Sequence, residues 1–182
     1  MNDINYLALL RGVNVGGKNK VSMAELKAVF VEHGFSAVST YINSGNIFFS
    51  SDIVDKEELK RQCQMLINDK FNLEIIVVVI TCAELISAID CAPKWWGSDK
   101  EASHNAIFVI PPATAEELIG QVGIVPEYEK IDSHGNVIFW SAPLKTYSRT
   151  RWSKISGTSA YQSITVRNAN SARKLAALSQ RP

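Results

Sequence analysis

The sequence predicts an α+β protein made by tandem duplication of two ferredoxin-like βαββαβ units with mainly antiparallel sheets. Three observations support this prediction. Strand-like and helix-like apolar patterns follow one another in the order βαββαβ in each half of the chain. The segment INSGNIFF at 42–49 resembles IDSHGNVIF at 131–139, which has one extra residue, His134. Corresponding caps and turns lie 89 to 92 residues apart, as in an internal repeat.

Helix caps and a polar turn define the elements of the first unit. Ser22 and Glu25 have the S-x-x-E spacing of a capping box, and Asp55 is followed by Glu58 at the same spacing. The turn at 43–46, NSGN, is built of residues that tolerate positive φ. The predicted elements are a strand at 4–10, a helix after Ser22, strands at 37–42 and 47–50, a helix after Asp55, and a strand at 75–80.

The second unit repeats this order after a helix and a connector. Thr81 and Glu84 cap the intervening helix, which Pro93 ends. The later elements are a strand at 105–110, a helix capped by Thr114, strands at 128–132 and 137–140, a helix at 146–155, a strand at 163–166 and a helix at 170–178. The predicted domains are therefore 1–80, a helix and connector at 81–103, and 104–182.

One loop distinguishes the two units. Eleven residues separate Leu10 from the cap Ser22, whereas three residues separate Ile110 from the cap Thr114. The loop at 11–21, RGVNVGGKNKV, is thus an insertion of about eight residues relative to its own duplicate. Extra loop length on a compact scaffold is more often functional than structural, so this loop is the main candidate site.

The loop is only a partial match to a nucleotide-binding P-loop. It satisfies G-x-x-x-x-G-K at 12–18 but lacks the final Ser or Thr that holds magnesium, and the cap Ser22 lies four residues beyond Lys18. An antiparallel sheet also differs from the parallel sheet of P-loop proteins. We therefore expect a simpler anion site, in which glycine N–H groups, cationic side chains and a helix N-terminus bind phosphate or carboxylate.

The candidate ligand-binding residues come from this loop, from the adjoining turn and from the end of the last strand. They are Arg11, Asn14, Gly16, Gly17, Lys18, Lys20, Asn43, Ser44, Asn46, Arg167 and Asn168. Each group has a structural alternative. The glycines would merely permit tight turns, Asn168 would cap the last helix, and Arg167 would pair with an acid of the first half.

The motifs LLRGVNVGGKNKVSMAELK, TYINSGNIFF and ITVRNANSARKL together resemble a mainly bacterial family known as the domain of unknown function number sixteen ninety-seven. The resemblance spans nearly the whole chain. This chain has Ala169 where the family usually has an aromatic residue, and Ser171 where it has Thr. The resemblance implies an α+β fold with ferredoxin-like elements and implies no particular activity.

Charge is distributed unevenly along the chain. The net charge is +1, yet residues 133–182 contain eight Lys and Arg residues and no acid. Such a block favours an anionic partner, or else a solvated face balanced by the acidic first part. Within it, residues 145–154 interleave cations with aromatics, as in nucleic-acid binding. A helix there would instead place Tyr147, Arg151 and Ile155 on one packing face, and this reading is favoured.

Composition points to a cytoplasmic globular protein. No apolar run is long enough to span a membrane, and the start of the chain has no signal-peptide pattern. Cys63, Cys82 and Cys91 lack the spacing of a metal site or a disulfide framework, and the first two fit helical patterns as small hydrophobic residues. The three histidines are scattered, so the sequence predicts no metal centre, identifies no cofactor and assigns no catalytic residue.

Three functions remain open. The first is binding of a phosphate-bearing ligand, either a nucleotide or a nucleic-acid backbone, at the loop. The second is an enzyme acting on a small anionic metabolite, with Arg11 or Lys18 stabilising charge and Tyr41 or a histidine transferring protons. The third is a structural or protein-interaction module, in which the loop is ordered and its lysines lie in solvent.

Overall fold

Antiparallel strands and α-helices make up the chain in the computed structural model, which describes residues 4–180. The chain divides into two compact units, residues 1–85 and 86–182, which we call unit 1 and unit 2. Each unit contains a four-stranded sheet in which the paired strands are antiparallel. The predicted α+β fold with mainly antiparallel sheets is therefore confirmed.

Unit 1 contains the strands and helices expected from its caps and apolar runs, with ends shifted by at most two residues. They are β1, Ile4–Leu10; α1, Met23–Glu32; β2, Ser36–Thr40; β3, Asn46–Ser51; α2, Lys56–Phe71; and β4, Val77–Thr81. The strand order is β2-β3-β1-β4. Helix α3, Cys82–Asp90, follows and crosses the boundary between the units.

The core of unit 1 lies between its helices and one face of its sheet. Helix α2 buries Leu59, Cys63 and Leu66, whose spacing places them on one side of the helix. Removal of this apolar surface from water is the main force that attaches the helix to the sheet. Burial raises the pKa of the Cys63 thiol, which therefore behaves as the small hydrophobic residue predicted for this position.

Unit 2 has the same strand arrangement, with short 3-10 helices before its last strand. Its elements are β5, Ala102–Val109; α4, Ala115–Val122; β6, Lys130–His134; β7, Val137–Pro143; 3-10 helices at Leu144–Arg149, Trp152–Gly157 and Ser159–Ser163; β8, Ile164–Asn168; and α5, Ala169–Ser179. The strand order is β6-β7-β5-β8.

The single helix predicted at 146–155 is instead two 3-10 helices, separated by an extended Thr150. Local hydroxyl groups explain the difference. Thr150 Oγ1 donates to the carbonyl of Tyr147, Ser153 Oγ to that of Thr150, and Thr158 Oγ1 to that of Ile155. Such side-chain bonds offer carbonyl groups partners other than the N–H of an α-helix, and they favour short turns instead.

Equivalent pairs of backbone hydrogen bonds lie at the end of the first strand in each unit. In unit 1, Leu10 N–H donates to Gly45 at 2.8 Å and Arg11 N–H to Ile76 at 2.9 Å. In unit 2, Val109 N–H donates to Asn136 at 2.9 Å and Ile110 N–H to Ser163 at 2.8 Å. Arg11 and Ile110 therefore mark equivalent points of the two units.

Candidate functional site

The loop that follows β1 forms a small hairpin. Val15 and Lys18 make an antiparallel bridge, with the Lys18 N–H donating to the Val15 carbonyl at 3.0 Å. The two residues between them, Gly16 and Gly17, have φ of +57° and +76°. Positive φ at both central positions is the requirement of a type I′ turn, which glycine meets without strain. This turn accounts for the glycine pair without a ligand.

Two valines anchor the base of this hairpin. Val13 and Val21 are buried in the core of unit 1, whereas Val15 near the tip is 64% exposed. The alternation of buried and exposed valines fixes the base against the sheet and leaves the tip in solvent. The loop is therefore an ordered projection with its lysine-bearing end accessible.

Asn14 ties the loop to the turn between β2 and β3. Its Nδ2 donates to the carbonyls of Val21 at 2.9 Å and Asn43 at 2.8 Å, and its Oδ1 accepts from the Val21 N–H at 2.9 Å. Its φ of +55° lies in the left-handed region that asparagine tolerates. The expected proximity of the loop and the turn is confirmed, and Asn14 uses its amide to maintain it.

The turn is held by a buried amide. Asn46 is fully buried, and its Nδ2 donates to the carbonyl of Tyr41 at 2.9 Å and to Ser44 Oγ at 3.0 Å. Its own carbonyl accepts the N–H of Tyr41 at 3.0 Å. Asn46 therefore shapes the turn, and of the predicted turn residues it is Asn43 whose side chain is exposed.

Gly45 occupies the closest approach between the turn and the loop. A Cβ atom at this position would lie 2.5 Å from Val13 Cγ2 and 2.7 Å from Leu10 Cβ, and the residue has a φ of +77°. Both the space and the backbone conformation therefore require glycine. This contact sets the position of the loop relative to β1 and β3.

The cations of the loop project from this rigid base. Lys18 and Lys20 are exposed, and neither forms an ion pair with another residue in the range 4–180. Arg11 is half-buried at the start of the loop. Residues 4–24 contain no acid, and the first helix begins directly after the loop at its cap Ser22, whose hydroxyl accepts the N–H of Glu25. The positive end of α1 and two lysines therefore share one local environment.

The loop differs from a P-loop in shape as well as in sequence. The sheet around it is antiparallel, and its two glycines form a hairpin turn instead of the alternating backbone conformations that make an anion-binding nest. Any anion would therefore be held by the lysine side chains and the helix N-terminus. That the N–H groups of Gly16 and Gly17 turn toward an anion stays a prediction.

The two remaining predicted residues belong to unit 2. Asn168 caps α5, with its Oδ1 accepting the N–H of Ser171 at 2.8 Å, as the structural alternative proposed. Arg167 is buried, and its Nη1 donates to Thr165 Oγ1 at 3.1 Å and to the Val166 carbonyl at 2.9 Å. Burial lowers the pKa of Arg167 to about 10. The structure brings together the predicted residues of unit 1 and places these two in the other unit.

Sequence reasoning missed a serine–histidine pair in unit 2. His104 on β5 lies directly across from Ser141 on β7, and His104 Nδ1 is hydrogen-bonded to Ser141 Oγ. His104 Nε2 lies 2.7 Å from the carbonyl of Asp99, which can only accept, so Nε2 carries the proton. When the ring is neutral, Nδ1 is the acceptor and the serine hydroxyl donates to it. Only the register of β5 against β7 brings these two residues together, and sequence spacing does not reveal that register.

Two kinds of site are not found in the described part of the chain. Within residues 4–180, no three His, Cys, Asp or Glu side chains are grouped so as to hold a metal ion. Over the same residues, none of the helices is both long enough and apolar enough to cross a membrane.

Fold and loop together define an α+β protein with two four-stranded antiparallel sheets and an ordered lysine-bearing hairpin after its first strand. The chain belongs to the DUF1697 family of proteins of unknown function, whose model matches residues 4–141. The match includes both the loop and the turn at 43–46. It ends before the closing motif at 164–175 that also pointed to this family.

Solved structures include a similar protein of nearly the same length. A conserved bacterial protein, SP0830 from Streptococcus pneumoniae, is 29% identical, with a TM-score of 0.86 over 98% of this chain and 100% of that one. Protein BT0572 from Bacteroides thetaiotaomicron aligns over 94% of this chain and 96% of its own, at 11% identity and a TM-score of 0.23. No curated protein matches the chain.

Proposed function

We propose that the protein binds a phosphate-bearing ligand, a nucleotide or a nucleic-acid backbone, at the hairpin loop of unit 1. The observation that carries this proposal is the presence of the hairpin in one unit only. Ten residues lie between Arg11 and the cap Ser22, whereas three lie between the equivalent Ile110 and the cap Thr114. In unit 2 the same strand arrangement forms without the additional seven residues, so the scaffold does not require them.

This comparison rests on a further proposal, that the units are ferredoxin-like copies of one ancestral βαββαβ element. The shared strand order, the equivalent hydrogen bonds after β1 and β5, and the recurring caps support it. The three 3-10 helices of unit 2 then stand where unit 1 has α2. The copies have diverged at this element and at the loop.

The charges and the rigidity of the hairpin favour an anion as its ligand. Lys18 and Lys20 lie in solvent without an ion pair among the described residues, and the exposed Asn43 amide on the adjacent turn offers neutral donors. Because Asn14 and the two buried valines already fix the base of the loop, binding does not have to order it. Pre-organisation of this kind lowers the entropic cost of binding.

The test is isothermal titration calorimetry at low salt with inorganic phosphate, nucleotides and a short oligonucleotide. We expect Lys18→Ala with Lys20→Ala to weaken binding about tenfold for each lysine that contacts phosphate, equivalent to about 1.4 kcal/mol each. Neither side chain has a structural role, so the variant should unfold at the same temperature as the wild type. Lys27→Ala, an exposed lysine on α1, is the control and should have no effect.

The outcome that removes this proposal is unchanged affinity in the double variant, or no binding of any of the three probes by the wild type. The loop would then be a structural or protein-interaction element. If binding is observed, its salt dependence separates the two ligand classes, because a polymer releases several counterions and a small ligand releases few.

A second candidate, an enzyme acting on a small anionic metabolite, is favoured by the serine–histidine pair of unit 2. The acceptor Nδ1 of His104 faces the Ser141 hydroxyl, and the Asp99 carbonyl orients the ring from its other side. This is the relation of nucleophile, base and orienting group used in covalent catalysis. Ser141 is buried, so a substrate would need a path from the protein surface to its hydroxyl group.

A fluorophosphonate probe tests this candidate. If the pair is reactive, Ser141 Oγ forms a bond to phosphorus, fluoride leaves, and the hydroxyl proton passes to His104 Nδ1. We expect a mass increase that is lost in Ser141→Ala and in His104→Phe and is retained in Ser148→Ala, where an exposed serine is removed. Absence of labelling in the native protein, or equal labelling of all variants, would show that the pair is structural.

A further inference from the structure

The 3-10 helical region of unit 2 carries a group of exposed basic side chains, distinct from those of the loop in unit 1. We call residues 144–157 the basic segment. Its four cations, Lys145, Arg149, Arg151 and Lys154, are all exposed. We propose that the basic segment binds single-stranded nucleic acid through its phosphates, independently of the ligand proposed for the hairpin loop.

The cations of the basic segment form no ion pair within the described part of the chain. Residues 133–182 contain no acid, and every ion pair found among residues 4–180 lies in unit 1. None of the four cations of the segment forms one. An excess of fixed positive charge raises the local concentration of polyanions, which gain affinity by releasing their own counterions.

The 3-10 geometry places cations side by side. The Lys154 N–H donates to the Arg151 carbonyl at 3.1 Å, a bond that spans three residues. Side chains three residues apart are eclipsed in this helix and lie about 6 Å apart along its axis. Arg151 and Lys154 therefore share one exposed face, while Trp152 and Ile155 are buried. The expectation that Tyr147, Arg151 and Ile155 share a packing face was wrong, because it assumed an α-helix.

A buried carboxylate holds the segment in this conformation. Glu129 is 2% exposed, and its Oε1 accepts the N–H groups of Arg151 at 3.0 Å and Val125 at 2.9 Å. Its Oε2 accepts the Trp152 N–H at 3.3 Å and Trp140 Nε1–H at 2.9 Å. The acid beneath the segment is thus occupied with N–H donors and forms no ion pair with the four cations. The Arg151 guanidinium donates to the Val122 carbonyl at 3.2 Å and that of Arg149 to the Tyr128 hydroxyl at 3.3 Å, and both keep further N–H groups.

Aromatic groups beside the cations favour a single strand over a duplex. Tyr147 is 38% exposed and lies edge-on to Trp140, with 5.6 Å between ring centroids. The Arg149 guanidinium lies 5.3 Å from the centroid of the Tyr128 ring. Flat rings and guanidinium groups stack with bases, which a single strand exposes and a duplex does not. The cations also lie on short turns instead of a long helix suited to a major groove.

The test is fluorescence anisotropy of a labelled uridine oligonucleotide with the full chain over a range of salt. Four phosphate contacts predict a slope of log affinity against log salt of about −3, from about −0.7 for each contact on a single strand. We expect Lys145→Glu with Lys154→Glu to lower the affinity at least tenfold and to reduce the slope by about 1.4. Neither lysine makes a hydrogen bond or ion pair through its side chain with a described residue, so the fold should be retained.

The control is Lys27→Glu with Lys94→Glu, which makes the same change in net charge at exposed positions outside the basic segment, neither of which forms an ion pair with a described residue. Its affinity should stay within about twofold of the wild type. Equal losses in both double variants, or no binding by the wild type, would overturn the proposal. So would binding to phosphatidylserine vesicles without binding to the oligonucleotide, an outcome that the exposed Leu144 would help to explain.

The loop proposal and this one can fail separately. The double variant of the basic segment should leave calorimetric binding of inorganic phosphate or nucleotide unchanged. In the variant Lys18→Ala with Lys20→Ala, the further substitutions Lys145→Glu and Lys154→Glu should still reduce the salt slope of oligonucleotide binding by about 1.4. If oligonucleotide binding depends on the loop lysines and not on Lys145 and Lys154, the basic segment is not the binding surface.

Discussion

We expect Glu129→Gln to lower the free energy of unfolding by about 2–4 kcal/mol, a large share of the stability of a small protein. The carboxylate accepts four N–H groups, and glutamine retains only one acceptor oxygen. Its amide N–H₂ would face at least one of these donors in a buried space. Urea unfolding followed by tryptophan fluorescence measures the effect, since Trp140 and Trp152 both contact this carboxylate.

The matched control is Glu127→Gln, two residues away and exposed. The same chemical change there should alter stability by less than about 0.5 kcal/mol. Similar stabilities of the two variants would mean that Glu129 does not organise the region as described. A destabilised Glu129→Gln protein should also lose part of any oligonucleotide affinity, because the basic segment would no longer be held in place.

For Gly45→Ala we expect destabilisation of about 2–5 kcal/mol, the sum of two separate costs. A left-handed conformation costs a residue with a Cβ about 1–2 kcal/mol. The new methyl group would also lie within 3 Å of Val13 and Leu10, and forcing it into a packed core costs about 1–3 kcal/mol more. Thermal or urea unfolding measures the total.

Gly16→Ala separates the two terms. Gly16 also has positive φ, but no atom lies within 4 Å of the position that a Cβ would take. This variant should therefore show the conformational cost alone and be the more stable of the two by about 1–3 kcal/mol. Equal losses would contradict the close approach of the loop to the turn. If the proposed anion site depends on that approach, Gly45→Ala should also weaken phosphate binding.

These variants connect the scaffold to the proposed site. Gly45, Asn14 and the buried valines hold the hairpin against unit 1, and the lysines at its end carry the proposed binding energy. Substitutions at the base of the hairpin should lower stability and, through it, weaken binding. Substitutions at the lysines should change binding alone. This difference in readout separates a structural contribution to the site from a direct one.

The helix caps and turns were predictable because their partners lie close in sequence. Ser22, Asp55 and Thr114 each accept an N–H group three residues onward, as their spacing predicted. The prediction of a single helix at 146–155 failed, although the interactions that decide it are equally local. The hydroxyl groups of Thr150 and Ser153 within this region, and of Thr158 just beyond it, were visible in the sequence, and their competition for carbonyl groups was the available signal.

By itself, the sequence determined the order of elements, the antiparallel α+β fold and the presence of a long polar loop after the first strand, because apolar periodicity and capping act over a few residues. Only the tertiary structure decided that the loop is a hairpin anchored by Asn14, that Glu129 is an internal acceptor, and that Ser141 faces His104. Each of these contacts joins residues far apart in the chain. Strand register and core packing determine them, and neither can be read from local spacing.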